Sequence, residues 1–267
     1  MKIYFAGSGD FKGAIEHAKS FLVSYYDLKQ PEKLFKFLKE FPINDLFLDS
    51  GAFSAFTQNA QIDIDNYINF IKKTETKLSV YANLDVIGEY ETTYKNWIYM
   101  KENGVSPLPV IHYGAPRSFF DLYFKKHKVS YLALGGLVPY VKRKHKIRAW
   151  LDNCFCILKD YWPVKIHLFG VTTQWILERY PAYSCDSTGW ISGSRHRSLS
   201  IWSKNRIIRG ESFNKRTHSH NTNNLIYDLR ATNKHYRELQ VNSLLAFVEL
   251  EKYITKLWEE KGVVWKD

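Results

Sequence analysis

The chain has 267 residues, enough for one large domain with a substantial core, and a hydrophobic content of 45% excludes global disorder. Lys and Arg number 38 against 27 Asp and Glu, a formal net charge of +11 that favours an anionic partner: nucleic acid, a membrane surface or a phosphorylated substrate. No uninterrupted apolar stretch is long enough to span a bilayer, so no membrane span is expected. The segment Met1–Ala6 reads as a strand and lacks the layout of a signal peptide. The cysteines, Cys154, Cys156 and Cys185, form an odd set that argues against a disulfide framework. A cytoplasmic protein is the expectation, in the host cytoplasm if the protein is viral.

In chain order, apolar runs at 2–6, 45–50, 78–85, 108–113, 131–135, 165–171 and 182–186 read as strands. Helical spacing fills 11–26, 31–40, 63–74, 90–103, 117–127, 140–158 and 173–180. Strand alternating with helix is the pattern of parallel α/β folds. Continuous apolar runs such as 108–111 and 131–134 suit a sheet buried on both faces. An eighth strand is expected at 205–209, and a helix at 235–261 that closes the ring. That count favours an α/β fold of the (β/α)8 TIM-like barrel kind over a doubly wound sheet. No G-x-G-x-x-G follows a strand, and no cofactor is expected. The expectation is one domain over 1–267 with a basic C-terminal extension.

That extension, 195–237, carries Arg195, Arg197, Lys204, Arg206, Arg209, Lys215 and Arg216, with few acids among them. Neutralising phosphates is what such a patch does well, so the segment reads as a nucleic-acid-facing surface. Trp190, Trp202 and Tyr236 could stack on bases there; each taken alone is more readily a core aromatic.

Residues just past the strand C-termini line the active site of (β/α)8 barrels. On this reading Asp49, Asp85, His112, Gly135, Gly136, Gly170 and Asp186 share one rim. Carboxylates in one apolar mouth push their pKa values apart, which separates an acid from a nucleophile. Any one Asp alone is as well explained as a strand-ending turn residue; the joint pattern is harder to dismiss.

The order of these residues carries a resemblance. Asp49-Ser50-Gly51-Ala52-Phe53 resembles the D-S-G-G-F-Q motif of tRNA-guanine transglycosylases. Gly135-Gly136-Leu137 resembles their G-G-L motif, and His167-Leu168-Phe169-Gly170-Val171 their strand ending in M-G-V-G. Cys185-Asp186 falls where that family has its nucleophilic Asp, and Asp85 matches its base-recognising Asp. The resemblance implies base exchange at a nucleoside, with Asp186 as nucleophile and Asp49 managing protons. It implies a guanine pocket built from Asp85, Gly135, Gly136 and Leu137, beside Ser50 of the first motif. His112 stands where the family carries a base-contacting Gln; a structural histidine is an equal reading.

The departures matter as much. Ala52 replaces the second Gly, and Ser54 stands where Gln is expected. The tRNA enzymes carry a zinc site of C-x-C-x-x-C with a distant His after the nucleophile; here Cys154 and Cys156 precede Asp186, so no metal is expected. Cys154 and Cys156 read instead as buried small hydrophobes on a helix, and His218-Ser219-His220 as a solvated loop. A shorter, zinc-less chain looks more like viral DpdA-type DNA-guanine transglycosylases, which place a 7-deazaguanine such as preQ0 into DNA. The expectation is therefore a DNA-guanine transglycosylase with DNA and a 7-deazaguanine base as partners. The same chemistry on tRNA is the close alternative; an N-glycosidase and a non-catalytic nucleic-acid-binding barrel are the more distant ones. Dimers are common in the related family, but no interface is legible here.

Overall fold

Strands send alternate residues to opposite faces, and here the two faces build two separate cores. The structure, a computed structural model, describes residues 1–7, 11–140, 142–191, 199–210 and 235–265, without the side chains of 210 and 235–237. Its strands are β1 (Lys2–Ala6), β2 (Ser20–Ser24), β3 (Asp45–Asp49), β4 (Val80–Tyr81), β5 (Val110–His112), β6 (Tyr131–Gly135), β7 (Lys165–Leu168) and β8 (Ser184–Ser187). All eight are parallel, in the order β4-β3-β2-β1-β8-β7-β6-β5. The outermost strands meet at a parallel bridge between Ala82 and Leu108, where Asn83 N–H donates to Leu108 O at 2.9 Å and Leu108 N–H to Tyr81 O at 2.8 Å. The fold is α/β and TIM-barrel-like.

Between the strands run α1 (Phe11–Ala14), α2 (Tyr25–Leu28), α3 (Pro31–Glu40), α4 (Ala52–Thr57), α5 (Ile64–Thr74), α6 (Tyr90–Glu102), α7 (Arg117–Asp121), α8 (Lys144–Leu158) and α9 (Gln174–Arg179). α3 opens on Pro31, whose fixed φ and missing N–H suit a first helical position. α5 is capped by Asp63, whose side chain accepts from Asn66 N–H at 2.8 Å. Ile3, Phe5, Leu46, Leu48, Leu132 and Leu134 face outward into the layer between sheet and helices. Tyr4, Ala6, Leu22, Phe47, Val110 and Ala133 face inward and fill the ring. The inner positions mix bulky and small side chains, as layers inside such a ring must.

Two expectations about the ring need correction. The segment 11–26 is not one helix: it contains α1, then the five-residue strand β2, then the start of α2. β2 lies between β1 and β3 and is the missing eighth strand. Ile15, Ala18 and Leu22 mimic helical spacing, but Ser-Phe-Leu-Val-Ser pairs on both edges and is buried accordingly. The segment at 205–209 does form a strand, outside the ring. β9 (Leu199–Ser203) and β10 (Arg206–Gly210) make a separate antiparallel hairpin. Its two-residue loop, Lys204 (φ 49°) and Asn205 (φ 58°), has the left-handed backbone of a tight hairpin turn.

α10 (His235–Glu260) follows and lies against the outside of the ring, not within it. Leu239, Ser243, Phe247, Leu250, Ile254 and Trp258 form its buried stripe. It is pinned at several places. Glu251 Oε2 accepts from Ile3 N–H at 2.6 Å, Thr255 Oγ1 accepts from the Met1 nitrogen at 2.9 Å, and Trp258 Nε1–H donates to Leu177 O at 2.8 Å. None of the helices among the described residues is long and apolar enough to cross a membrane.

Leu250 is fully buried in this seam, whereas Leu245 is 37% exposed on the same helix. Leu250→Ala is expected to lower unfolding free energy by about 2–5 kcal/mol, and Leu245→Ala to change it by no more than about 0.5 kcal/mol. Urea denaturation of both variants measures the difference; equal effects would mean α10 is not docked this way.

Candidate active site

Because all eight strands point the same way, their C-terminal ends make one rim. A cavity of about 730 Å³ opens there, lined by Asp49, Asp85, Asp186, Gly135, Gly136 and Gly170 among others. Asp49 ends β3, Asp186 lies in β8, Asp85 follows β4, and Gly135 ends β6. Phe53 and Phe169 add aromatic walls. The rim that the sequence pattern anticipates is thus one cavity, with His112 set behind it.

Each carboxylate has a different environment. Asp49 receives Gly51 N–H on Oδ2 at 3.0 Å. Removal from water pushes its carboxyl up to about 8, with the charges of Asp85 and Asp186 adding to the rise and the Gly51 and Ser50 backbone bonds opposing it. Asp49 therefore holds a proton at neutral pH. The turn that presents it requires Gly51, whose φ is +81° and where a Cβ would fall on Tyr26 Cβ and within 2.5 Å of Ser24 Oγ.

Asp85 is held on both oxygens. Ser50 Oγ–H donates to Oδ1 at 2.9 Å, and His112 Nε2 bonds Oδ2 at 2.9 Å. Each oxygen keeps a second lone pair for a ligand. Ser50 and His112 are 0% and 1% exposed. Their side chains are not among those that line the cavity, and each meets it through its bond to Asp85. The Leu137 side chain is likewise fully buried, in the outer core. Gly136, at φ +69°, allows close packing over His112: a Cβ there would sit 3.0 Å from its Nδ1.

Asp186 is 8% exposed. Its Oδ1 accepts Gly170 N–H at 2.8 Å and faces His167 Nε2 at 3.2 Å. Its Oδ2 has no hydrogen-bond partner among the described residues. His167 was not singled out by the sequence pattern. The available signal was a histidine between Ile166 and Leu168, two positions before Phe169 and on the inward parity.

The basic segment is seen in part. Lys204, Arg206 and Arg209 are exposed on the β9–β10 hairpin. Gln174, at the start of α9, ties that hairpin down by donating to Asn205 O at 2.7 Å and accepting Ile207 N–H at 3.1 Å. Arg195, Arg197, Lys215 and Arg216 lie outside the described residues, as do His218, His220 and the Tyr236 side chain.

Trp190 is not a surface platform: it is 1% exposed and donates Nε1–H to Ala6 O at 2.9 Å. Trp202 packs on Tyr253 with ring centroids 5.5 Å apart. Cys154 is buried on α8 as expected, but Cys156 is exposed. Among the described residues no three His, Cys, Asp or Glu side chains are grouped to hold a metal ion.

Between the ordinary carboxyl range and about 8, folded Asp49 keeps a proton that the unfolded chain releases. Its contribution to stability is therefore greatest in acid and is lost as pH rises toward 8. Asp49→Asn is expected to flatten that decline, as read from melting temperatures between pH 5 and 8. Parallel pH profiles for the two proteins would show that Asp49 is ionised throughout.

No protein-family model matches the chain, and no curated protein matches it.

Proposed function

We propose that the chain is a guanine-exchanging transglycosylase acting on DNA, replacing guanine with a 7-deazaguanine of the preQ0 kind. The observation that carries this reading is the meeting of Asp49, Asp85 and Asp186 in one cavity, with Asp49 held protonated. Three carboxylates crowded in one apolar mouth cost stability, and different environments that separate their protonation states suit them to distinct work.

The roles follow from the environments. Asp186 Oδ2 attacks the anomeric carbon, forming a C1′–O bond as the C1′–N9 bond to guanine breaks. The bonding pair leaves with guanine, which takes the proton from Asp49. The resulting Asp49 carboxylate then receives the N9 proton of the incoming 7-deazaguanine. That N9 attacks C1′, the ester bond breaks, and the Asp186 carboxylate is restored. Two displacements retain the anomeric configuration.

Asp85 accepts from guanine N1–H and the N2 amino group, while Ser50 and His112 keep its carboxylate plane fixed. Gly135 and Gly136 let the backbone approach the base edge. Phe53 and Phe169 offer faces for a planar base. A guanine stacked in a duplex cannot reach this cavity, so it must be flipped out or already single-stranded. The +11 charge and the exposed Lys204, Arg206 and Arg209 of the β9–β10 hairpin support a polyanionic substrate. The close alternative is the same chemistry on tRNA, because the base-reading groups do not read the sugar.

The test is incubation with labelled guanine or preQ0 and either duplex DNA or tRNA. Incorporation into DNA is expected, and incorporation into tRNA alone would replace DNA as the substrate. Guanine release without incorporation would make the protein an N-glycosidase. Asp186→Asn is expected to abolish both exchange and a covalent adduct detectable by mass. Asp49→Asn is expected to slow exchange by about 100-fold or more while leaving nucleic-acid affinity within about twofold. An adduct that forms equally well without the Asp186 carboxylate would remove the mechanism.

A further inference from the structure

The ring interior contains a file of polar side chains that the exchange chemistry above does not use. His167, 0% exposed, bonds Asp186 Oδ1 through Nε2 at 3.2 Å and Ser184 Oγ through Nδ1 at 2.8 Å. Ser184 Oγ in turn lies 2.6 Å from Tyr131 Oη. The imidazole is packed among Tyr4, Phe47 and Phe169, with ring centroids 6.1, 4.8 and 4.5 Å away. Such interior layers are ordinarily filled by branched aliphatic side chains. Burying a polar file among aromatic rings gains no stability over an apolar filling of the same volume.

With Asp186 ionised and His167 neutral, one donor order fits the file. An ionised Asp186 can only accept, so His167 Nε2 carries the proton. Nδ1 is then the acceptor, Ser184 Oγ–H donates to it, and Tyr131 Oη–H donates to Ser184. Every bond points toward Asp186, and aligned bonds of this kind reinforce one another.

We propose that His167 is a positioning residue for the nucleophile: with Gly170 N–H it holds Asp186 Oδ1, which leaves Oδ2 to attack and makes the carboxylate a better leaving group in the second displacement. The role rests on the reading of Asp186 as nucleophile. When the glycosyl ester forms on Oδ2, Oδ1 becomes its carbonyl oxygen and the bonds from His167 and Gly170 weaken, because the carboxylate charge is spent. When the ester breaks, the C1′–Oδ2 electron pair returns to the carboxylate and both bonds strengthen. Groups that gain strength only as charge develops accelerate that step. The effect of His167 therefore falls mainly on breakdown of the adduct.

The experiment is rapid-quench analysis of the full chain with a guanine-containing DNA oligonucleotide and labelled preQ0, following the covalent adduct and the exchanged product separately. His167→Phe is expected to slow adduct breakdown by about 10-fold to 100-fold, so that adduct accumulates while exchange falls. Oligonucleotide affinity should be unchanged, and the melting temperature is expected to fall because Ser184 loses its acceptor and Asp186 one of its donors. His167→Gln, whose amide can donate to Oδ1, is expected to recover most of the breakdown rate. Ser184→Ala keeps the ring in place and is expected to slow breakdown by a smaller factor, which provides an arm should the Phe variant not fold. Breakdown at the wild-type rate in the folded His167 and Ser184 variants overturns the role while leaving Asp186 as nucleophile. Absence of any adduct in the wild-type protein overturns the reading of Asp186 and the role with it.

Discussion

A slip of one residue in β8 against β1 would turn Asp186 out of the ring and bring Cys185 in. The pairing of Tyr4 with Asp186, of Ser24 with Asp49 and of His112 with Gly135 prevents this. Backbone register is thus the constraint on which the candidate site depends. It is fixed by what the outer face buries. Ile3, Phe5, Leu46, Leu48, Leu132 and Leu134 must all meet the helices, and only one alignment achieves that for every strand. The inward face is then left free to carry chemistry. Asp45, Phe47 and Asp49 alternate with Leu46 and Leu48, so one five-residue strand supplies outer core, inner core and both polar ends.

The same alternation explains how three acids are tolerated in one mouth. Each is stabilised by a different means. Asp49 has its carboxyl pushed up to about 8 by partial removal from water and by the two carboxylates nearby. Asp85 is fastened from behind by a hydroxyl and an imidazole. Asp186 is supported on one oxygen by a backbone amide and a second imidazole. Both imidazoles sit on inward positions of their strands, His112 in β5 and His167 in β7. A histidine beneath each ionisable rim acid is therefore a repeated construction in this ring, and it sets apart the two acids that have one from Asp49, which lacks it.

Much of this was legible in the sequence because strands that stop at Asp or at paired glycines mark their own C-terminal ends. Asp49, Asp85, Gly135, Gly136 and Asp186 could be placed on one rim from that mark alone. Helices α3, α5, α6 and α9 were legible from the spacing of their apolar residues. β2 was not, because Ile15, Ala18 and Leu22 fall at helical intervals and five residues are too few to reveal a competing period. His112 could be found but not its direction: a side chain at a strand end can face the cavity or support a neighbour, and only packing decides. Trp190 was ambiguous for a related reason, because its Nε1–H meets the Ala6 carbonyl, far away in sequence. The motif at His167–Val171 was visible, yet the inward parity of its first residue gained meaning only beside Asp186.

The clasp of α10 over β1 has a consequence for how the chain reaches this state. β1 needs β8 on one edge, and its Ile3 N–H meets Glu251 of α10, 248 residues further along the chain. β1 can therefore pair β2 early, but its second edge and its clasp wait for partners made much later. Contacts of such long sequence separation close slowly. Until they close, β1 presents an apolar edge that can pair with other chains. The ring is thus completed only after synthesis has passed β8 and the clasp only after α10, and until then the free edge of β1 must be kept shielded.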